Sequence, residues 1–242
     1  MSRRPRSIAI NVGANTNLPG IRGPVYPDGR FEYLPIPEEQ PTRRPVPTYG
    51  DLAVDVDLPE DVRDTPVHLD PEFAEYPTCE RYSYGDDHGV KAGPLSELEA
   101  GDFLLFYATL TFHGDPDEAA DWIASDWGAY LVGEFRVARA ITGETYETLS
   151  ADERAAFDNN AHVKRDPVDA KVLVEGDDSS RLYEYAVPLS SPDAGATANR
   201  LVTALSNDSG KGPWWRRRLW YDAHATAELR DVVERWPNCS LG

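Results

Sequence analysis

The sequence predicts an α+β fold: a curved, mostly antiparallel sheet or β-barrel with flanking helices and long Pro-rich connections. Three stretches carry this expectation. Residues 103–110, FLLFYATL, are almost continuously apolar and too short for a buried helix, which reads as a strand covered on both faces. Residues 129–140, AYLVGEFRVARA, alternate in their latter half, placing Phe135 and Val137 on one face and Glu134 and Arg136 on the other. Residues 223–236 close the chain as an amphipathic helix, with Leu229, Val232, Val233 and Trp236 along one stripe.

The other elements follow in chain order. Residues 8–10, IAI, form a short strand that breaks into Asn11 and Gly13; a loop dense in Gly, Pro and Asn leads to a second extended run over 30–36. Residues 37–66 carry proline on a scale that forbids long helices and interior strands. They are expected as a surface excursion pinned where Leu52, Val54, Val56 and Leu58 alternate. Residues 94–102 read as a short helical turn ending at Gly101, feeding the 103–110 strand. A polar insertion over 113–128, with a one-turn helix at 117–123, joins it to the 129–140 strand, and the two should pair antiparallel. Residues 143–160 read as helical, with Ser150 and Glu153 offering a capping box. A polar corner, NNAHVKR (159–165), precedes strands at 170–175 and 181–189. Residues 193–206 read as an exposed helix burying Leu201, Val202 and Leu205. The chain of 242 residues suits a single domain over 1–242, with 193–242 as its helical C-terminal part.

Composition narrows the setting. The formal net charge is −18, from 42 acidic and 24 basic residues, and Lys91, Lys164, Lys171 and Lys211 are the only lysines. Dense carboxylates with so little lysine resemble the proteins of salt-in halophiles, where salt screens the repulsion between like charges. Under that screening, net charge says little against a nucleic-acid partner, and local basic and aromatic patches become the better guide. Cys79 and Cys239 are too few for a disulfide framework or a cysteine-rich zinc site. No apolar run approaches membrane-spanning length, and the basic start MSRRPRS leads into three apolar residues only, so a cytoplasmic protein without membrane contact is expected.

Several blocks together carry a family resemblance: INVGANTN, RGPVYPDGRFEYLPIPE, GDFLLFYATL, YLVGEFRVARAI and NNAHVKR. In content and order, from residue 8 to about residue 165, they resemble the nucleotide-modification-associated domain family, third type. That family is known mainly beside DNA-base hypermodification systems of microbes and viruses, so the resemblance implies a nucleotide or modified-base context without an established reaction. More loosely, the Gly-Asp turn before a strand carrying Phe106 and Tyr107, and the strand with Val132-Gly133-Glu134-Phe135, are similar to the core of PUA-like and EVE domains. This second resemblance implies a small bent barrel that binds RNA or modified bases; the 113–128 insertion departs from it.

A base or nucleotide ligand needs aromatic faces for stacking and amides or backbone groups to read its edges. Tyr107 and Trp127 are candidates for the faces, Asn11, Asn15 and Asn160 for the amides, and Gly13 for close backbone approach. Tyr107 reads equally well as a core residue with its hydroxyl engaged. Asp28, in Tyr-Pro-Asp-Gly, is first a turn residue, given functional weight by the family resemblance. His162 is the candidate for catalytic acid–base work, with a capping histidine as the bland alternative. Lys164, Arg165 and the arginines 216–218 are candidates for phosphate contacts. The latter stand beside Trp214, Trp215 and Trp220, where a packed core with arginines pairing carboxylates explains them slightly better. His68, Asp70, Asp86, Asp87 and His88 match no recognised ligand spacing and read as solvated surface, so no metal and no cofactor are expected. No Walker loop, Gly-x-Ser-x-Gly elbow or dinucleotide fingerprint is present, which argues against a standard NTPase, hydrolase or oxidoreductase. The sequence thus favours recognition of a modified base or nucleotide. An enzyme that itself modifies the base is the alternative, and a structural protein of a halophile a third.

Overall fold

The computed structural model describes residues 4–52, 54–56 and 58–239, which leaves out part of the basic N-terminal run and the last three residues. In chain order the strands are β1 (Ser7–Asn11), β2 (Pro24–Val25), β3 (Ile36–Pro37), β4 (Val67–His68), β5 (Ser83–Asp86), β6 (Phe103–Phe112), β7 (Trp127–Thr142), β8 (Val172–Gly176), β9 (Arg181–Pro188), β10 (Ser190–Ser191), β11 (Ala194–Ala198) and β12 (Leu219–Tyr221). The helices are α1 (Glu60–Arg63), α2 (Gly89–Ser96), α3 (Gly143–Thr148), α4 (Ala151–Arg154), α5 (Ala161–Lys164), α6 (Arg200–Thr203) and α7 (Ala223–Arg235). The expected α+β class stands: strands dominate, most pairings are antiparallel, and no closed barrel is present among the described residues.

The chain divides into two compact units. The first takes in residues 4–34, 103–134 and 183–239. Its sheet runs β12-β1-β6-β7, with β2 also on β6 and β9 also on β7. β1 lies parallel to β6, pairing Ser7 with Phe103 through to Asn11 with Tyr107, and antiparallel to β12. The parallel contact explains why β1 is buried over Ser7–Ile10 although it is only five residues long. β6 is longer than the apolar run that announced it and is buried along most of its length. Phe112 N donates to Asp126 O (2.7 Å) where the β6–β7 connection closes.

Helix α7 covers this sheet with the predicted stripe, Leu229, Val232 and Val233 being buried. Asp222 caps it, its carboxylate accepting from His224 N and Ala225 N at 2.9 Å. Glu134, on the polar face of β7, is nevertheless buried, because Arg230 of the same helix pairs with it and Tyr183 Oη donates to it at 2.8 Å. Trp214 is the largest buried side chain, and its Nε1 donates to Ala196 O (2.9 Å). The reading of the tryptophan–arginine stretch as packing therefore fits: Trp214 is core, and Arg217 pairs with Asp208 at 2.9 Å.

The second unit takes in the described residues of 35–102 and 135–182. The later part of β7 pairs antiparallel with β8, and β8 with β5, matching Thr142 to Val172 and Asp86 to Val172 at the same level. Tyr146, Phe157, Ala170 and Leu173 form a small core beneath α3 and α4, and the Ser150–Glu153 capping box forms as expected. The Pro-rich stretch is anchored by Leu52 and Leu58, both buried, and by Tyr49, whose hydroxyl donates to Pro35 O (2.6 Å).

Several expected elements differ. Residues 193–206 are not one helix: β11 takes up the first part, pairing with β10, and only α6 is helical. A Cβ on Gly195 would sit 1.7 Å from Trp127 O, so the glycine serves a close backbone crossing, and Asn199 caps the helix that starts after it. The extended run at 30–36 is held by isolated bridges, Val25 to Phe31 and Arg30 to Tyr185, until β3 begins. The insertion carries a 3₁₀ turn at Pro116–Glu118 in place of a helical turn over 117–123. The helix before β6 starts earlier than expected and ends at Ser96, five residues before Gly101, whose φ of +89° closes the turn into the strand.

Candidate functional site

The second unit gathers buried titratable side chains from segments far apart in sequence. β3 and β4 pair antiparallel, Ile36 opposite His68, so Glu38, just past β3, comes up beside the His68 ring. Glu38 Oε2 lies 2.6 Å from His68 Nδ1. Asp70 follows past the end of β4, where its N–H donates to His68 O (2.9 Å) in a tight turn that brings the carboxylate back toward the ring. Gly85 N on β5 donates to both Asp70 oxygens, at 2.9 and 3.1 Å. A Cβ on Gly85 would meet Asn160 Oδ1 and His162 Cδ2 at 2.8 Å, so only glycine lets β5 pass this close.

The polar corner at 159–165 contains the one-turn helix α5, with Asn160 as its cap. Asn160 Oδ1 accepts from His162 N (3.0 Å), while its Nδ2 donates to Asp70 Oδ1 (3.0 Å). The cap therefore ties His162 to Asp70. His162 Nδ1 lies 2.8 Å from Asp169 Oδ1. Arg165 sits behind both rings, its Nε donating to Glu38 Oε1 (3.1 Å) and its Nη1 to Asp169 Oδ2 (2.7 Å).

Each histidine is thus held at Nδ1 by a carboxylate, and the two Nε2 atoms turn toward Asp70. His68 Nε2 is 3.9 Å and His162 Nε2 3.6 Å from Asp70 Oδ2, beyond hydrogen-bond length. The rings meet edge to face, 4.8 Å between centroids. The three side chains are 3–6% exposed.

The electrostatics follow from this burial. Burial pushes the Glu38 carboxyl up, but the hydrogen bond and charge of His68, then Arg165 and the Gln40 N–H, outweigh it and hold the group at about 2. Burial drives Asp70 well above the usual carboxylate range, against the Gly85 and Asn160 hydrogen bonds. Burial and the neighbouring His68 lower His162, partly offset by Asp169. Around the centre, Asp86 pairs with Lys91 at 3.3 Å and accepts from Tyr84 Oη at 2.9 Å, and Asp87 Oδ2 lies 3.6 Å from Arg165 Nη1.

Of the residues singled out from sequence, Asn160 and His162 lie at this centre, joined by His68 and Asp70. The expectation that His68, Asp70 and Asp86 are solvated surface is overturned: all three are buried, His68 and Asp70 because β4 pairing and the Gly85 amide draw them inward, and Asp86 because β5 pairs with β8. His88 does remain exposed. Glu38 and Asp169 escape the sequence reading altogether. The signal available is His68-Leu69-Asp70, an imidazole and a carboxylate two residues apart, close enough for one tight turn to bring them together.

Arg165 has its donors engaged by Glu38 and Asp169, which gives it a positioning task where a phosphate contact was expected. Lys164 donates to Asn159 Oδ1 and lines a cavity of about 430 Å³ with Arg43, Arg44, Arg154 and Tyr146.

Asn11, Gly13, Asn15, Asp28, Tyr107 and Trp127 belong to the other unit. Asn11 Nδ2 donates to Tyr107 O at 3.4 Å. Tyr107 is fully buried with its hydroxyl donated to Arg217 O, so it offers no face for stacking. Gly13 has φ +80°, and a Cβ there would sit 3.0 Å from both Leu34 O and the Tyr33 ring. Asn15 and Asp28 fold back on Asn17 N and Arg30 N, both at 2.9 Å, as turn residues do. Trp127 is half-buried, with the Arg22 guanidinium 4.6 Å above its ring and Trp215 at 5.1 Å.

A family model described as nucleotide modification associated domain 3 matches residues 6–233. No curated protein and no solved structure matches the chain.

Proposed function

We propose, from the premise that this chain belongs to the nucleotide modification associated domain 3 family, that it chemically modifies a nucleotide or a base in DNA at the His68–Asp70–His162 centre. The observation that carries the reading is two buried histidines, each anchored at Nδ1 by its own carboxylate and both turned on one buried aspartate. Burying three titratable groups is costly, and recognition by stacking and edge hydrogen bonds does not require it. Perturbed groups of this kind concentrate where chemistry is done. In the other unit Gly13, Asn15 and Asp28 serve turns and Tyr107 is core, which leaves Trp127 and Asn11 as the partly exposed candidates there and weakens the recognition reading that the sequence favoured.

The test is incubation of the protein with free nucleotides and with hypermodified DNA, followed by mass spectrometry of the digested bases. A new base or nucleotide mass is expected. Saturable binding without any mass change would leave recognition of a modified base as the function.

The same proposal includes a high-salt setting, resting on the charge of −18. Stability is expected to rise steadily with KCl as the surface carboxylates are screened. A melting temperature indifferent to KCl, from dilute buffer upward, would remove the halophilic part and leave the site untouched.

A further inference from the structure

We propose that His68, Asp70 and His162 bind a divalent first-row transition ion; for its chemical purpose this site rests on the reading above, while its existence rests on geometry alone. The argument starts with the two Nδ1 atoms. Glu38 and Asp169 can only accept as carboxylates, and they lie 2.6 and 2.8 Å from His68 Nδ1 and His162 Nδ1. Arg165 Nη2 and Nη1 also approach the two Nδ1 atoms, at 3.2 and 3.3 Å, but the carboxylates are closer and favour an Nδ1 proton, the tautomer whose Nε2 carries a lone pair.

The two Nε2 atoms stand 3.9 and 3.6 Å from Asp70 Oδ2. Neither Nε2 has a hydrogen-bond partner among the described residues, and both side chains are more than nine-tenths buried. Three electron-rich atoms facing one point repel one another unless something positive lies between them. A proton on Asp70 answers this poorly, because it needs an acceptor within about 3 Å and both nitrogens are farther away. An ion answers it well. Imidazole nitrogens and carboxylate oxygens bind such ions at about 2.0–2.2 Å, so ligand atoms around one ion stand roughly 3.0–3.6 Å apart. The three ligand atoms lie within 4.8 Å of one another, so inward shifts of up to about 1 Å bring the set into that range.

The surroundings fit as well. A histidine that binds a metal usually gives its other N–H to a carboxylate, which fixes the ring and strengthens the ligand. Here both histidines do so. Gly85 N and Asn160 Nδ2 hold Asp70 in place from the far side. Glu38, Asp87 and Asp169 lie around the centre with the Arg165 cation paired to all three, so negative charge is in excess before Asp70 is counted. Two imidazoles with one carboxylate select transition ions over Mg²⁺ and Ca²⁺, which prefer all-oxygen shells. Three protein ligands leave positions open for water or substrate.

The experiment uses the full chain, stripped by a chelator and titrated with Zn²⁺ and Co²⁺ at constant KCl. One ion per chain is expected, and Co²⁺ should give ligand-field bands without thiolate charge transfer. A large excess of Mg²⁺ should not displace it. His68→Gln, Asp70→Asn and His162→Gln should each weaken binding by at least about 100-fold, and Asp169→Asn by about 10–100-fold. Circular dichroism checks that each variant folds, and the wild-type Co²⁺ spectrum stands independently of any variant. Absence of stoichiometric binding by wild type would overturn the proposal, as would wild-type affinity in folded His68→Gln and His162→Gln proteins. Base modification by the metal-free protein would overturn the ion's part in the chemistry, while leaving the enzymatic reading intact. Ion binding without any product would support the site and defeat that reading instead.

Discussion

Arg165→Met is expected to destabilise the protein by about 3–5 kcal/mol, the range seen when one partner of a buried ion pair is removed. The guanidinium is 11% exposed and holds two carboxylates at once, Glu38 (2% exposed) and Asp169. Methionine restores much of the volume but none of the charge, so Glu38 keeps only His68 and the Gln40 N–H as partners. For a chain of this length each kcal/mol moves the melting temperature by about 2–4 °C, so a fall on the order of 10 °C is expected. Glu38→Gln alone should cost less, because a neutral amide leaves Arg165 its bond to Asp169. The double variant should recover part of the Arg165→Met loss, since the carboxylate left without its guanidinium is then gone. Thermal unfolding of the four proteins closes the cycle. Strict additivity would mean that Glu38 and Arg165 are not coupled, and the account of the centre as one charge network would fail.

The fold is legible where local pattern and tertiary environment agree. The run FLLFYATL can only be a strand covered on both faces, and β6 is that strand. Ser150 and Glu153 announce a helix start through a mechanism confined to four residues, and the box forms. The stripe of Leu229, Val232 and Val233 needs only a surface to lie on, which β1, β6 and β12 provide. Reading fails where a distant backbone decides. Residues 194–198 have no strong strand pattern, and they become β11 because Gly195 lets the chain run against Trp127 O. Glu134 sits in an alternating strand as a polar residue would, yet its burial depends on Arg230 nearly a hundred positions later.

The candidate site shows the same division more sharply. His162 and Asn160 stand out through a compact polar motif, and both lie at the centre. His68 and Asp70 are visible in the sequence but easily discounted, because in a chain with 42 acidic residues any single aspartate looks like solvated surface. What separates Asp70 from the others is the Gly85 amide beneath it and the Asn160 cap beside it, both set by long-range pairing. Glu38 follows a proline-rich turn and carries no local signal at all. The stretch around Asn11 and Gly13 shows the converse, a distinctive pattern for which local geometry gives one account. Its glycines and asparagines are distinctive, and backbone geometry accounts for Gly13 and Asn15, through φ +80° at the one and a folded-back amide at the other.

That contrast sets the second large effect. His162→Gln and Asp70→Asn are each expected to slow base or nucleotide modification by about 10²–10⁴-fold, the usual consequence of removing a positioned polar group from a reacting centre. Both substitutions nearly preserve shape. The amide introduced by Asp70→Asn can still accept from Gly85 N through its carbonyl, so the loss should fall on rate and leave the melting temperature close to wild type. Residues that act as one unit fail together, and the double variant should be little slower than either single one. Asn11→Ala in the other unit should leave the rate near wild type, since its amide makes only a long bond to Tyr107 O. The measurement is single-turnover product formation followed by mass spectrometry, with thermal unfolding on the same samples. Two well-folded variants with undiminished rates would remove His162 and Asp70 from the chemistry. A large loss in Asn11→Ala alone would return the site to the loop that follows β1.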